Sequence, residues 1–377
     1  MIYDYIFCGF GLSAMLVLDR FADDGLLSGK TVLIVGNDSR QDRTWSFWEN
    51  GAGRYDGLLT KRWANAVFKS NFRTGILERG NSYKMLEPHR LGKAVSDRLK
   101  EFPGIEFRTE NVESVIDNGE SVKVRTNIGT YIGKKVFNSI PKEIFPSRKH
   151  PLLLQHFIGW MVETPDNHFN PDEATFMDFS IPQSGNTRFI YVLPMSKTKA
   201  LVEYTLFSPA TLDESEYESG IRHYLETIGI KEYTIEKKES GVIPMTAYPF
   251  WKNNTKNVLN IGTAGGWTKP STGYTLIYAM KRSAQLSDFT SNPDADFTKF
   301  HRTSRFTWYD RIFVSILYNE NAKGKYIFST LFRRADPGTI LRFLREESTI
   351  REDLIVLASC PKRLFIWHVL RHFRRFI

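Results

Sequence analysis

The stretch Ile2-Tyr3-Asp4-Tyr5-Ile6-Phe7-Cys8-Gly9-Phe10-Gly11-Leu12-Ser13-Ala14 decides the fold. Ile2 to Cys8 is a short apolar strand, and Met15-Leu16-Val17-Leu18 begins a helical run. Thr31-Val32-Leu33-Ile34-Val35 is a second apolar run, suited to a parallel sheet buried on both faces. Together they make a βαβ unit whose first turn reads Gly9-x-Gly11-x-x-Ala14. Gly9 permits the tight turn, Gly11 lets backbone approach a pyrophosphate, and Ala14 lets helix and strand pack closely. The helix start adds free N–H groups and a positive dipole end. One element of the nucleotide-binding pattern is missing: the ribose-binding acid is expected near position 36, which is Gly36. Asp38, two residues on, is the candidate substitute.

A second Gly-rich segment follows the apolar run Val258-Leu259-Asn260-Ile261. It reads Gly262-Thr263-Ala264-Gly265-Gly266 and continues to Lys269-Pro270-Ser271-Thr272-Gly273-Tyr274, the approach to another helix. Paired with the early loop, it favours FAD over NAD. Gly262, Gly265, Gly266, Pro270, Thr272 and Gly273 therefore join Gly9, Gly11, Ala14 and Asp38 as expected cofactor contacts.

Between these loops the pattern changes. Leu154 to Glu163, Ala174 to Phe179, Arg188 to Pro194 and Ala200 to Phe207 are β-like runs separated by turn residues, which predicts an antiparallel sheet. Ser215 to Ile228 reads as a helix, as does Pro88 to Glu101, and helical patterns dominate from Asp296 onward. The expected architecture is α/β. A Rossmann-like FAD-binding domain of the flavin monooxygenase type spans residues 1–150, completed by 245–295. An antiparallel-sheet substrate domain spans 151–244, and a helical, basic C-terminal region spans 296–377.

The 377 residues include 41% apolar residues, enough for a folded globular protein. Two cysteines, Cys8 and Cys360, are too few for a disulfide framework or a cysteine-based zinc site, and no metal is expected. No apolar run reaches the roughly 18 residues that a membrane span needs. The N-terminus reads as a strand and not as a signal peptide, which predicts a cytoplasmic location. The net charge of +9 is uneven: residues 321–377 hold 12 Lys and Arg against 5 Asp and Glu, and the rest is nearly neutral. A basic tail suits nucleic acid, anionic lipid or a solvated face. No zinc spacing or RNA-binding signature accompanies it, so nucleic acid is not expected.

Asp42-Arg43-Thr44-Trp45-Ser46-Phe47-Trp48-Glu49 resembles the lycopene cyclases of the bacterial beta-cyclase type. So do Gln155-His156-Phe157-Ile158-Gly159-Trp160, Tyr191-Val192-Leu193-Pro194, Ala200-Leu201-Val202-Glu203-Tyr204-Thr205 and Ile243-Pro244-Met245-Thr246, in the same order. The resemblance implies FAD in its reduced form, with NAD(P)H as reductant. It also implies a linear carotene substrate and ring closure without net redox change. Glu203 matches the family's essential glutamate, and a carboxyl in an apolar cavity stays protonated near neutral pH. Glu49 is a second acid candidate. Trp45, Phe47, Trp48, Trp160 and Tyr204 are expected to line the substrate path. By fold analogy Arg43 is expected beside the cofactor, and Arg90 at its pyrophosphate. A carotene lives in the bilayer, so the basic and apolar tail 364–377 is expected on an anionic membrane surface. The competing reading is a flavin-dependent monooxygenase or desaturase on another apolar isoprenoid. Mono- against bicyclisation, ring type and oligomeric state are left open.

Overall fold

A computed structural model describes residues 1–37, 43–141 and 147–372. Asp38 and Asp42 lie outside the described residues. The chain opens with β1 (Ile2–Cys8), α1 (Leu12–Asp23) and β2 (Val32–Val35), the βαβ unit. Next come β3 (Trp45–Asn50), β4 (Lys61–Trp63), β5 (Asn65–Lys69), β6 (Arg73–Gly75) and β7 (Asn81–Leu86). Helix α2 (Pro88–Leu99) leads to β8 (Ile105–Arg108), β9 (Val112–Asp117), β10 (Val122–Thr126) and β11 (Thr130–Asn138). Then follow β12 (Leu153–Glu163), β13 (Glu173–Asp178), β14 (Thr187–Pro194), β15 (Lys199–Ser208), α3 (Glu214–Thr227), β16 (Thr234–Met245) and β17 (Val258–Asn260). Helices α4 (Leu276–Thr290), α5 (Arg305–Asn319), α6 (Gly324–Arg334), α7 (Pro337–Leu344), α8 (Ile350–Ser359) and α9 (Lys362–His372) complete the described chain.

Among the described residues these strands form three sheets. In the first, β8, β2, β1, β11 and β17 run parallel, and β10 and β9 extend it antiparallel. Its central strands are buried on both faces, which is why Ile6, Phe7, Leu33 and Ile34 can follow one another without polar interruption. Helices α1, α2 and α4 cover one face.

The second sheet, in the order β16-β12-β15-β14-β13-β5-β6, positions the candidate site. The four strands read between residues 154 and 207 are all present, and β12 to β15 pair antiparallel among themselves. Two features were not expected. Residues 65–75 leave the first sheet to add β5 parallel to β13, with β6 beyond it. Residues 234–245 add β16 beside β12. One face of this sheet carries α3, with Trp160, Val202, Tyr204, Ile221 and Tyr224 in the core between them. The other face packs on the third sheet, β3-β7-β4, and on helices α5 to α8. The two faces are called back and front below.

Candidate functional site

The C-terminal ends of β1, β11 and β17 meet at one rim, where ligands of open parallel sheets bind. Gly9 has φ +92°, a conformation that L side chains avoid, and a Cβ there would lie 2.3 Å from Ser139 Oγ. Gly11 caps α1, and a Cβ on it would meet nothing within 4 Å. Ala14 is fully buried behind it. The late loop closes on the same place, with Gly262 in the left-handed region at φ +61° and its Cβ position 3.2 Å from Ser13 Oγ. That hydroxyl is buried and has no hydrogen-bond partner. A helix start without an acidic residue in its first turn, two glycine loops and an orphaned hydroxyl fit the phosphates of a dinucleotide.

Gly36 has a steric reason. A Cβ there would lie 3.0 Å from the Cα of Gly9, so the end of β2 admits no acidic side chain beside the turn. Gly265, Gly266, Pro270, Thr272 and Gly273 continue the late loop. A Cβ on Gly273 would sit 2.0 Å from Gln155 Oε1, a buried acceptor without a partner, so this loop abuts β12 of the second sheet. Lys269 pins the loop from the other side: its buried ammonium contacts Asp310 of α5 at 2.7 Å and Glu346 at 3.0 Å. Arg90 donates to the carbonyl of Leu59 at 2.9 Å.

Glu203 lies on the front face of β15. Its register partners are Gly159 on β12 and Tyr191 on β14, and Gly159 in turn pairs with Glu239 on β16. Gly159 thus separates two glutamates with no side chain of its own. A Cβ there would lie 3.4 Å from Glu239 Cγ and 3.5 Å from Glu203 Cβ. Burial, then the charge of Glu239, pushes the Glu203 carboxyl up to about 8, against one hydrogen bond received from Thr205 Oγ1 at 2.5 Å. Burial also raises Glu239, opposed by the hydroxyl of Thr44, which donates to it at 2.6 Å. Arg43 lies along the same strand, donating to the carbonyl of Val242 at 3.3 Å. Burial lowers its pKa, and the charge of Glu239 opposes that.

Aromatic rings surround this row. Tyr191 Oη lies 3.3 Å from Tyr274 Oη. Trp48 stands edge-on to Tyr274 at 5.0 Å between ring centres and to Phe176 at 5.9 Å. Burial raises the phenols of Tyr83, Tyr191 and Tyr274, so they stay neutral. Tyr191, Tyr274 and Phe176 also line an apolar cavity of about 340 Å³, which continues between Phe207, Leu331 and Phe332 to α9.

Four of the five expected substrate residues stand elsewhere. Alternation along β12 and β15 turns Trp160 and Tyr204 to the back face, away from Glu203. Trp160 is fully buried, with Arg222 and Lys238 over its ring at 5.0 and 5.6 Å. Tyr204 presses on Gly220 of α3 and accepts a hydrogen bond from Arg188 at 3.0 Å. Trp45 and Phe47 point into the core of the first sheet, opposite to Trp48. Glu49 is ion-paired with the buried Lys84 at 2.8 Å, and Asp56 shares that ammonium at 2.5 Å.

The chain matches the family described as lycopene cyclase protein over residues 4–367. It belongs to the lycopene cyclase family. The lycopene beta-cyclase of Pantoea ananas is 32% identical over 297 residues, covering 76% of this chain and 74% of the relative. That of Paracoccus sp. is 26% identical over 231 residues, covering 57% of this chain and 58% of the relative. The chain therefore spans a little over half the length of the Paracoccus protein. A geranylgeranyl bacteriochlorophyll reductase-like protein from Thermoplasma acidophilum superposes with a TM-score of 0.63 at 12% identity, over 98% of this chain and 99% of that one. The flavin-dependent brominase Bmp2 gives 0.60 at 14% identity, over the full length of both. The fold is that of flavin-dependent reductases, halogenases and monooxygenases.

Proposed function

We propose that this family member closes the end ring of a linear carotene such as lycopene, by acid-initiated cyclisation without net redox change. The observation that carries the reading is Glu203, a carboxyl raised to about 8, beside Tyr191 at the wall of an apolar cavity. Glu203 delivers a proton to the terminal double bond, leaving a tertiary cation. The neighbouring alkene attacks it, a carbon–carbon bond closes the ring, and loss of a ring proton restores the proton count. The faces of Trp48, Phe176, Tyr191 and Tyr274 offer negative quadrupole to the passing charge. Their apolar bulk excludes the water that would quench it.

FAD is the cofactor of this reading, held at the rim by the Gly9–Ala14 turn and the Gly262–Gly273 loop. Once bound there in reduced form, with NAD(P)H as its reductant, it would supply electron density to a developing cation. The carotene reaches the cavity from a membrane. Among the described residues no helix is long and apolar enough to cross one. Helix α9 instead lines the cavity with Phe365, Ile366, Val369 and Leu370, of which Ile366 and Leu370 also stand 59% and 72% exposed, beside Lys362, Arg363 and Arg371. That combination suits an anionic bilayer surface.

Expression in lycopene-accumulating cells, followed by chromatography and mass measurement of the pigments, tests the reading. The expected result is a cyclic product of unchanged mass. A product heavier by one oxygen, or lighter by two hydrogens, would instead identify a monooxygenase or a desaturase.

A further inference from the structure

Resting on the reading of Glu203 as the acid, we propose that Glu239 is its positioning partner: a carboxylate set across Gly159 that keeps the proton on Glu203. Three geometric observations carry this. First, β16, β12 and β15 place Glu239, Gly159 and Glu203 in one register row, on one face. Any side chain at position 159 would stand between the carboxyls, since its Cβ would touch Glu239 and Glu203 at 3.4 and 3.5 Å. A glycine inside a long strand weakens it, and close approach of other groups is the usual reason for one.

Second, the two carboxyls have unequal partners. The Thr44 hydroxyl donates to Glu239, Lys237 lies on the same strand, and Arg43 approaches from the segment before β3. Glu87 acts against them. Glu203 faces the neutral phenols of Tyr191 on β14 and Tyr83 on β7, and has one donor, Thr205, on its own strand. Of two like groups, one of which opposes the other's ionisation, the one with more donors and cations around it takes the charge. Here that is Glu239.

Third, Thr44 and Arg43 lie directly after the end of the first sheet's β2 and its following segment, so the partner of the acid is held by the nucleotide-fold part of the chain. Glu239 gives no proton to substrate in this scheme; it acts through Glu203.

The test is the pH profile of kcat for the flavin-loaded enzyme, read beside an infrared titration of its protonated carboxyl band. Glu203→Gln identifies that band by removing it. In Glu239→Gln the alkaline limit of kcat moves down by about one pH unit, so about fivefold is lost near pH 8, approaching about tenfold at higher pH, and is recovered on acidification. Glu239→Asp keeps most of the native profile. Thr44→Val, which leaves both carboxyls in place, moves the infrared midpoint the same way by less. An unmoved limit in Glu239→Gln overturns the proposal, and so does loss at every pH with flavin retained, which would put Glu239 in the chemistry itself. If Glu239→Gln does not fold, an unmoved infrared midpoint in Thr44→Val overturns it alone. Cyclisation retained by Glu203→Gln would remove the acid assignment instead, while the infrared titration still reads whether the two carboxyls are coupled.

Discussion

The front and back faces of the β12–β15 pair are built from the same strands and similar residues, yet they end in opposite conditions. On the back, every large side chain meets α3. Tyr217 bridges to His156 Nδ1 at 2.5 Å, Ser208 bonds the other ring nitrogen at 2.6 Å, and Arg188 ties Tyr204 to Glu216. Burial without a compensating charge drives His156 down to about 4, so it is neutral and structural. On the front, Glu203 receives one hydrogen bond, the buried Trp48 Nε1 has no acceptor, and the aromatic wall opens into a cavity. Buried polar groups left short of partners cost stability. On the back face Trp160 Nε1 also lacks a partner, but it is packed under Arg222 and Lys238, whereas the front-face groups adjoin the aromatic wall of the cavity, where a ligand can complete them.

The largest way to break the comparison is a pair of isosteric changes on adjacent residues of β15. Glu203→Gln removes a proton donor and is expected to lower cyclisation about a thousandfold or more, with flavin content unchanged. Tyr204→Phe removes a back-face hydroxyl that only accepts from Arg188. It is expected to cost about 1 kcal/mol of stability and less than about threefold in rate. Pigment yield and flavin absorbance from the two purified variants check both. Equal losses would dissolve the distinction between faces.

How much of this was legible beforehand follows from the range of each interaction. The βαβ unit, its glycine turn and the late loop are local patterns, and the strands and helices that flank them are present. The position of Glu203 within β15 is also local, since alternation alone sets Leu201 and Glu203 opposite to Tyr204. The partners were not legible. Glu239 sits after Lys237 and Lys238, in a run that reads as a solvated face. Only its pairing with β12 brings it within reach of Glu203. Trp160 belongs to a motif shared with the family, but a motif does not say which way a side chain faces. Gly159, one residue earlier, carried the better signal: a glycine in the middle of an 11-residue apolar strand asks what comes close to it. Asp38, the candidate ribose acid, lies outside the described residues.

A smaller effect separates the faces by volume. Leu331 borders the front cavity, so Leu331→Trp is expected to fold with near-native melting and lower cyclisation about tenfold by occupying substrate space. Ile221 is fully buried under the back face with no such room. Ile221→Trp should cost about 1–3 kcal/mol through overpacking. Melting curves set against initial rates distinguish the two outcomes. A Leu331→Trp enzyme of native rate would show that substrate does not pass this wall.

The smallest effect concerns where each face leads. The front cavity reaches α9, which His368 fastens to Ser315 of α5 at 3.0 Å while Ile366 and Leu370 stay exposed. The back face leads only to α3, whose C-cap residue Ile228 is also exposed, at 42%. Exposed apolar area alone therefore does not separate the two ends. The basic residues beside it do: Lys362, Arg363 and Arg371 flank the α9 pair, whereas near Ile228 in the chain Lys231 is outnumbered by Glu226 and Glu232. Ile366→Gln with Leu370→Gln keeps that positive charge and removes the insertion of apolar side chains, so sedimentation with anionic vesicles should fall several-fold, the order expected for losing partial burial of two side chains. Ile228→Gln should leave it unchanged. Equal sedimentation of all three proteins would place the lipid contact elsewhere and detach the cavity mouth from the membrane.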